Sequence, residues 1–194
     1  MLSCILLSAG LSSRFGSPKA LAKLPDGLNI IQKIQNQLLK IPDVEIIIVL
    51  GHESEKILPF VLKHTNIRVV HNKSYLLGQT SSFKTGLNAA STFSEGFLLL
   101  PVDFPAIQTQ ALLDITAFYR QKKPAILIPT FNGKGGHPPI FSAQLKNNFL
   151  KLDDSLGINT LIHAKTNETS LLPVNDPGIL KSFNTKEEFN ALIA

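Results

Sequence analysis

The sequence predicts an α/β domain built on a mostly parallel sheet, and three observations carry that prediction. Short apolar runs alternate with stretches whose apolar residues recur at helical spacing. Several of the runs are near-continuous and lack the polar alternation of a half-exposed strand, as strands covered on both faces require. The chain has 194 residues, 44% hydrophobic and 17% charged, enough to bury a sizeable core within one domain.

Taken in order, residues 3–8 (SCILLS), 44–50 (VEIIIVL), 67–71 (IRVVH), 97–102 (FLLLPV) and 125–130 (AILIPT) are predicted strands. Residues 28–40, 53–63, 81–93 and 106–121 are predicted helices. In the first of these, Ile30, Ile31, Ile34, Leu38 and Ile41 fall on one stripe. This βαβα alternation is the pattern of a sheet layered between helices. After residue 130 the pattern changes. Residues 131–141 (FNGKGGHPPIF) are rich in Gly and Pro and end in a short strand-like piece. Helices are predicted near 142–150 and 156–164, a strand at 170–174 and a short last helix at 186–193. There is no internal repeat, low-complexity segment or linker.

Composition narrows the function classes. The single cysteine, Cys4, excludes an internal disulfide and a multi-cysteine metal cluster, and reads as a small buried hydrophobe. Residues 1–10 lack the basic start of a signal peptide, and no apolar stretch approaches bilayer length, so a cytoplasmic protein without membrane contact is expected. The net charge of +5 suits anionic partners, but the basic residues are scattered and no aromatic–basic interleaving marks a nucleic-acid surface. Small phosphorylated ligands fit better.

One loop stands out. Residues 6–21, LLSAGLSSRFGSPKAL, follow the first predicted strand. Gly10 permits a sharp turn, and small Ser12 and Ser13 let backbone amides approach a ligand. Arg14 offers a planar fork for phosphate oxygens and Lys19 a mobile point charge. Strand ends are where open α/β sheets bind ligands. The loop is not a P-loop, which needs G-x-x-x-x-G-K followed by Ser or Thr. Nor is it a dinucleotide fingerprint, because Ser12 replaces the middle glycine and the second strand ends in Leu50-Gly51-His52 without an acid.

Leu7 to Lys19, L-S-A-G-L-S-S-R-F-G-S-P-K, resembles the L-A-A-G-x-S-x-R-M-G-x-x-K signature of nucleotidyltransferases, in particular the molybdenum-cofactor cytidylyl- and guanylyltransferases. Four further stretches agree in order: Gly78-Gln79-Thr80-Ser81-Ser82 with Gly86, Leu100 to Pro105 with a D-x-P motif, Gly133 to Pro138 with a G-x-x-G-H-P loop, and Asp176-Pro177-Gly178-Ile179-Leu180. The resemblance covers nearly the whole chain. It implies a Rossmann-like three-layer α/β/α fold with a mostly parallel mixed sheet in a single domain, residues 1–194. Residues 1–130 would form a nucleotide-binding half and 131–194 an acceptor-binding half.

The resemblance also implies an activity: Mg²⁺-dependent transfer of a nucleoside monophosphate from a nucleoside triphosphate to a phosphorylated small-molecule acceptor. Molybdopterin is the first acceptor to consider, with contact to an enzyme that receives the finished cofactor. Ser8-Ala9-Gly10 matches the form that goes more often with CTP than with GTP. Arg14, Lys19 and Asp103 are the expected catalytic residues. Leu7, Ala9, Gly10, Gly78, Ser81 and Ser82 are expected at the nucleotide, and Gly136 and His137 at the acceptor. Asp103 is the expected Mg²⁺ ligand, because a hard oxygen suits that ion; its alternative role is to cap the helix that starts near Pro105. Ser82 has an alternative role as a helix cap, and His137 as a residue that holds its own loop.

Two departures from the family pattern stand out. In the last motif Asn184 stands where a second metal-binding Asp is usual, and Ser182 replaces another acid. An amide oxygen can coordinate Mg²⁺ but adds no charge. Asn159 stands where an acceptor-binding arginine is expected. These changes leave two other readings open: a non-catalytic nucleotide- or cofactor-binding protein, and a sugar-phosphate nucleotidyltransferase.

Overall fold

The computed structural model describes residues 1–193. Its strands are β1 (Leu2–Ser8), β2 (Val44–Leu50), β3 (Ile67–His71), β4 (Gly96–Pro101), β5 (Ile126–Phe131), β6 (Lys134–Gly135), β7 (Ile140–Ser142) and β8 (Thr169–Pro173). The helices are α1 (Ile30–Leu38), α2 (Ser54–Ile57), α3 (Gln79–Ala89), α4 (Thr109–Lys122), α5 (Lys146–Lys151), α6 (Asn159–Ala164) and α7 (Lys186–Ile193). One mixed sheet runs in the order β3-β2-β1-β4-β7-β5, with β8 parallel to β5 and the short β6 antiparallel to it. Strands β1 to β4 are parallel, and β7 lies antiparallel between β4 and β5.

The apolar runs are strands because both of their faces are covered. In β1, Cys4 and Leu6 face one core with Ile31 and Ile34 of α1, Leu112 and Ile115 of α4 and Phe189 of α7. Ile5 and Leu7 face the other core, with Phe83 and Leu87 of α3 and Phe149 of α5. Each fully buried side chain of this size contributes about 1.5–3 kcal/mol relative to exposure. The layers are therefore α/β/α, as expected. Gly86 lets α3 lie close to the sheet: a Cβ there would come within 2.4 Å of Ile5 Cγ2. That close approach brings the start of α3 to the end of β1.

Three elements differ from the sequence reading. The helix expected at 53–63 is one turn, α2, followed by a 3-10 turn over Leu58–Phe60. Pro59 has no N–H to continue an α-helix, so the apolar spacing there reflects packing of a turn. The short strand β6 was not anticipated; it is a two-residue return on β5 across Asn132 and Gly133. The helix placed at 142–150 begins as a 3-10 turn over Ala143–Leu145 before α5.

Cys4 is fully buried in β1, and burial pushes its thiol well above the ordinary value. The neutral thiol is the weak nucleophile of the pair. A thiol-reactive aromatic disulfide at pH 8 is expected to leave the folded protein unlabelled and to label one thiol per chain in guanidinium. Labelling of the native protein at the rate of a free thiol would contradict this packing.

Candidate active site

The connections from β1 and from β3 run to opposite sides of β1, so the strand order reverses between β1 and β4. Ligands in open α/β sheets sit outside the strand ends at such a point. Here lies a cavity of about 390 Å³. Leu7, Ala9, Gly10, Arg14 and Lys19 of the first loop line it, with Gly78 and Ser82 from the start of α3, Asp103 beyond β4 and Asn184 before α7. Leu7 and Asn184, at opposite ends of the sequence, thus meet at one rim.

The first loop is fixed at three points. The N–H groups of Phe15 and Gly16 donate to the Ser12 carbonyl at 2.9 and 3.0 Å. The Lys19 N–H donates to Ser12 Oγ at 3.3 Å. Phe15 is buried edge-on against Phe183 and Phe189, with ring centroids 5.3 and 5.9 Å away. This aromatic cluster ties the loop to the C-terminal segment and so delivers Asn184 to the site. The Asn184 N–H donates to the Glu188 carboxylate in the first turn of α7, which fixes its backbone.

Lys19 is the hub. Its Nζ donates to Asp103 Oδ2 at 3.1 Å, to the Phe183 carbonyl at 2.6 Å and to Asn184 Oδ1 at 3.0 Å. Its side chain is only 13% exposed. Arg14 Nη2 donates to the same Asn184 oxygen at 3.0 Å, and among the described residues no carboxylate pairs with Arg14. Asn184 is therefore bound to both cations. Asp103 does not cap a helix, because α4 starts at Thr109 after Gln108. Its Oδ1 is buried and has no hydrogen-bond partner.

That orphaned oxygen tests the fit of a metal. A buried carboxylate oxygen without a donor is costly unless something positive reaches it. Among the described residues no group of three or more His, Cys, Asp and Glu side chains could hold an ion. The donor set is one carboxylate and one amide oxygen. That suits Mg²⁺, which keeps waters and shares phosphate oxygens, and does not suit a zinc site.

Ser81 does not line the cavity. Its hydroxyl turns inward, and the buried Ser82 likewise has its hydroxyl bonded within the protein. Ser82 lies inside the first turn of α3, whose cap is Gly78, so the capping role is not observed. Gly78 has φ +98°, a conformation that side-chain-bearing residues rarely adopt, and its bare backbone forms cavity wall. Gly136 and His137 lie beside the cavity, not in its wall. The His137 ring stacks on Phe104 at 4.2 Å, the His137 backbone N–H donates to the Ile179 carbonyl at 2.9 Å, and burial lowers the ring's affinity for a proton by more than Asp103 raises it. Sequence reasoning gave no site role to Tyr75, Leu76 and Gln79, which also line the wall. The available signal was their position after a strand and on either side of Gly78.

Fold and site together define a nucleotidyltransferase: an open α/β sheet with a small-residue loop, two cations and one carboxylate at its switch point. The chain belongs to the MobA-like NTP transferase domain family, which matches residues 4–169. It is 28% identical over 141 residues to the molybdenum cofactor cytidylyltransferase of Escherichia coli strain K12, covering 73% of this chain and 70% of that protein. Its fold is similar to the crystal structure of Rv0371c from Mycobacterium tuberculosis H37Rv, with a TM-score of 0.84 and 21% identity over 99% of this chain and 96% of that one. The manganese complex of the same mycobacterial protein matches with a TM-score of 0.80 and 19% identity, over 99% of this chain and 97% of that one. No helix among the described residues is long and apolar enough to cross a membrane.

Proposed function

We propose that this nucleotidyltransferase moves CMP from CTP to a phosphate oxygen of a small phosphorylated acceptor, with molybdopterin the acceptor placed first. The acceptor oxygen attacks the α-phosphorus, the bond to the bridging oxygen of the β-phosphate breaks, and pyrophosphate leaves. The observation that carries this reading is the Lys19 ammonium held between Asp103 and Asn184 in a cavity of about 390 Å³ at the strand ends. CTP and molybdopterin are favoured by the likeness to the Escherichia coli cytidylyltransferase and by Ala9 in the loop.

Asp103, with Asn184, would hold Mg²⁺, which when bound offsets the negative charge of the triphosphate and of the departing pyrophosphate. Lys19 exchanges its bond to Asp103 for phosphate oxygens, while the Phe183 carbonyl keeps the ammonium in place. Arg14, which pairs with no carboxylate among the described residues, meets the triphosphate with its planar fork. Leu7, Ala9 and Gly10 give the base a flat apolar floor, and Gly78 opens backbone to it. The acceptor enters past Gly136 and His137, whose stack on Phe104 borders Asp103. Positioning and electrostatics of this kind suffice for phosphoryl chemistry.

Thermal unfolding with CTP, GTP, UTP and ATP, each with and without Mg²⁺, tests the reading. A ligand at about 100 times its Kd adds about 2.7 kcal/mol, or a rise of about 5–10 °C for a chain of this size. The expected result is a Mg²⁺-dependent rise that is largest with CTP. A larger rise with GTP would reassign the base, and no rise with any nucleotide would overturn the proposal.

A further inference from the structure

We propose that Asn72, outside every motif above, is a positioning residue that sets the nucleotide wall of the cavity. The inference rests on the nucleotide reading of that cavity. Asn72 follows β3 and is 5% exposed. Its N–H donates to the Leu50 carbonyl at 2.8 Å, which fixes it to the sheet beside β2. Its side chain then works in two directions. Oδ1 accepts from the Ser74 N–H at 2.9 Å. Nδ2 donates to Ser81 Oγ at 2.9 Å and to Ser82 Oγ at 3.0 Å.

The two hydroxyls pass the constraint on. Because each accepts from Asn72, its single proton is left for a loop carbonyl. Ser81 Oγ donates to the Ser74 or the Gly78 carbonyl, at 3.0 and 2.9 Å, and Ser82 Oγ reaches the Gly78 carbonyl at 3.3 Å. One amide thus joins the sheet, the 74–78 loop and the first turn of α3. That loop carries Tyr75, Leu76 and Gly78 into the cavity wall. Tyr75 also meets His52, with ring centroids 5.9 Å apart, and the His52 N–H donates to the Ala9 carbonyl at 3.1 Å. The loop is therefore locked against the first loop as well.

An apolar residue at position 72 could fill the space but could not direct the hydroxyls. An aspartate is equally large and could still accept from Ser74, but it offers no donor. The serine protons would then turn toward it and release the loop carbonyls. Unmade buried hydrogen bonds of this kind are worth enough to change affinity about tenfold.

The test compares the wild-type chain with Asn72→Asp and Asn72→Ala by nucleotide titration, steady-state kinetics and amide hydrogen exchange. The expected result is a KM and Kd for the preferred nucleotide raised about tenfold, a kcat changed by less than about threefold, and faster exchange at residues 74–78 in folded protein. Folded variants with wild-type KM and wild-type exchange would overturn the role, as would a variant that only loses thermal stability. A wild-type chain that binds no nucleotide would overturn the function and this role together; wild-type binding with unchanged variant affinity would overturn this role alone.

Discussion

Replacing Asp103 by alanine is expected to lower kcat for nucleotidyl transfer by about 10³-fold, the scale of removing a group that stabilises developing charge. Among the described residues Asp103 is the one carboxylate that lines the cavity, and its Oδ1 is buried without a donor there. The fold should persist. Lys19 keeps the Phe183 carbonyl and Asn184 Oδ1, so its ammonium retains two of its three bonds. A melting temperature within about 4 °C of wild type is expected. Steady-state pyrophosphate release at saturating nucleotide and Mg²⁺ is the measurement. Turnover within a few-fold of wild type would remove Asp103 from the chemistry.

The largest stability effect is expected far from any reacting atom, at Asp176. This carboxylate is 2% exposed. Its Oδ1 accepts from the Gly178 N–H and its Oδ2 from the Gln108 N–H, both at 2.8 Å. The D-P-G-I-L stretch is thereby stitched to the loop that leads from Asp103 into α4. Hydrogen bonds to a charged acceptor are worth about 1.5–3 kcal/mol each, and Asp176→Ala leaves two N–H groups without it. A loss of about 3 kcal/mol, or about 6–12 °C in melting temperature, follows. Denaturant unfolding monitored by circular dichroism checks it. Because the same segment continues to Phe183 and Asn184, weaker nucleotide binding should accompany the loss. A melting temperature within 2 °C of wild type would contradict this account.

Much of this architecture was legible in the sequence. VEIIIVL and IRVVH coincide with β2 and β3: the first is a near-continuous apolar run covered on both faces, and the second is a β-branched stretch that lies half-exposed at the sheet edge. The first loop was legible because glycine, small serines and two cations beyond a strand say how the backbone can turn and what charge it can meet. Arg14, Lys19, Asp103 and Asn184 were each named from motifs, and the fold brings them to one cavity. The 53–63 segment misled because Ile57, Phe60 and Val61 have helical spacing, while Pro59 sets the backbone.

Other features depend on contacts that no local pattern records. Nothing near Lys19 shows that its ammonium lies on the carbonyl of Phe183, 164 positions away. Nothing near Ser81 shows that its hydroxyl turns away from the cavity toward Asn72. The sequence by itself determined the layered α/β class, the strand-end loop and the chemical types at the site, since these follow from periodicity, backbone freedom and charge. The tertiary structure alone decided which oxygen of Asp103 stays without a donor, which cations share Asn184, and which loop walls the cavity. Those are properties of hydrogen-bond geometry between distant segments, and they exist only once the sheet has brought the segments together.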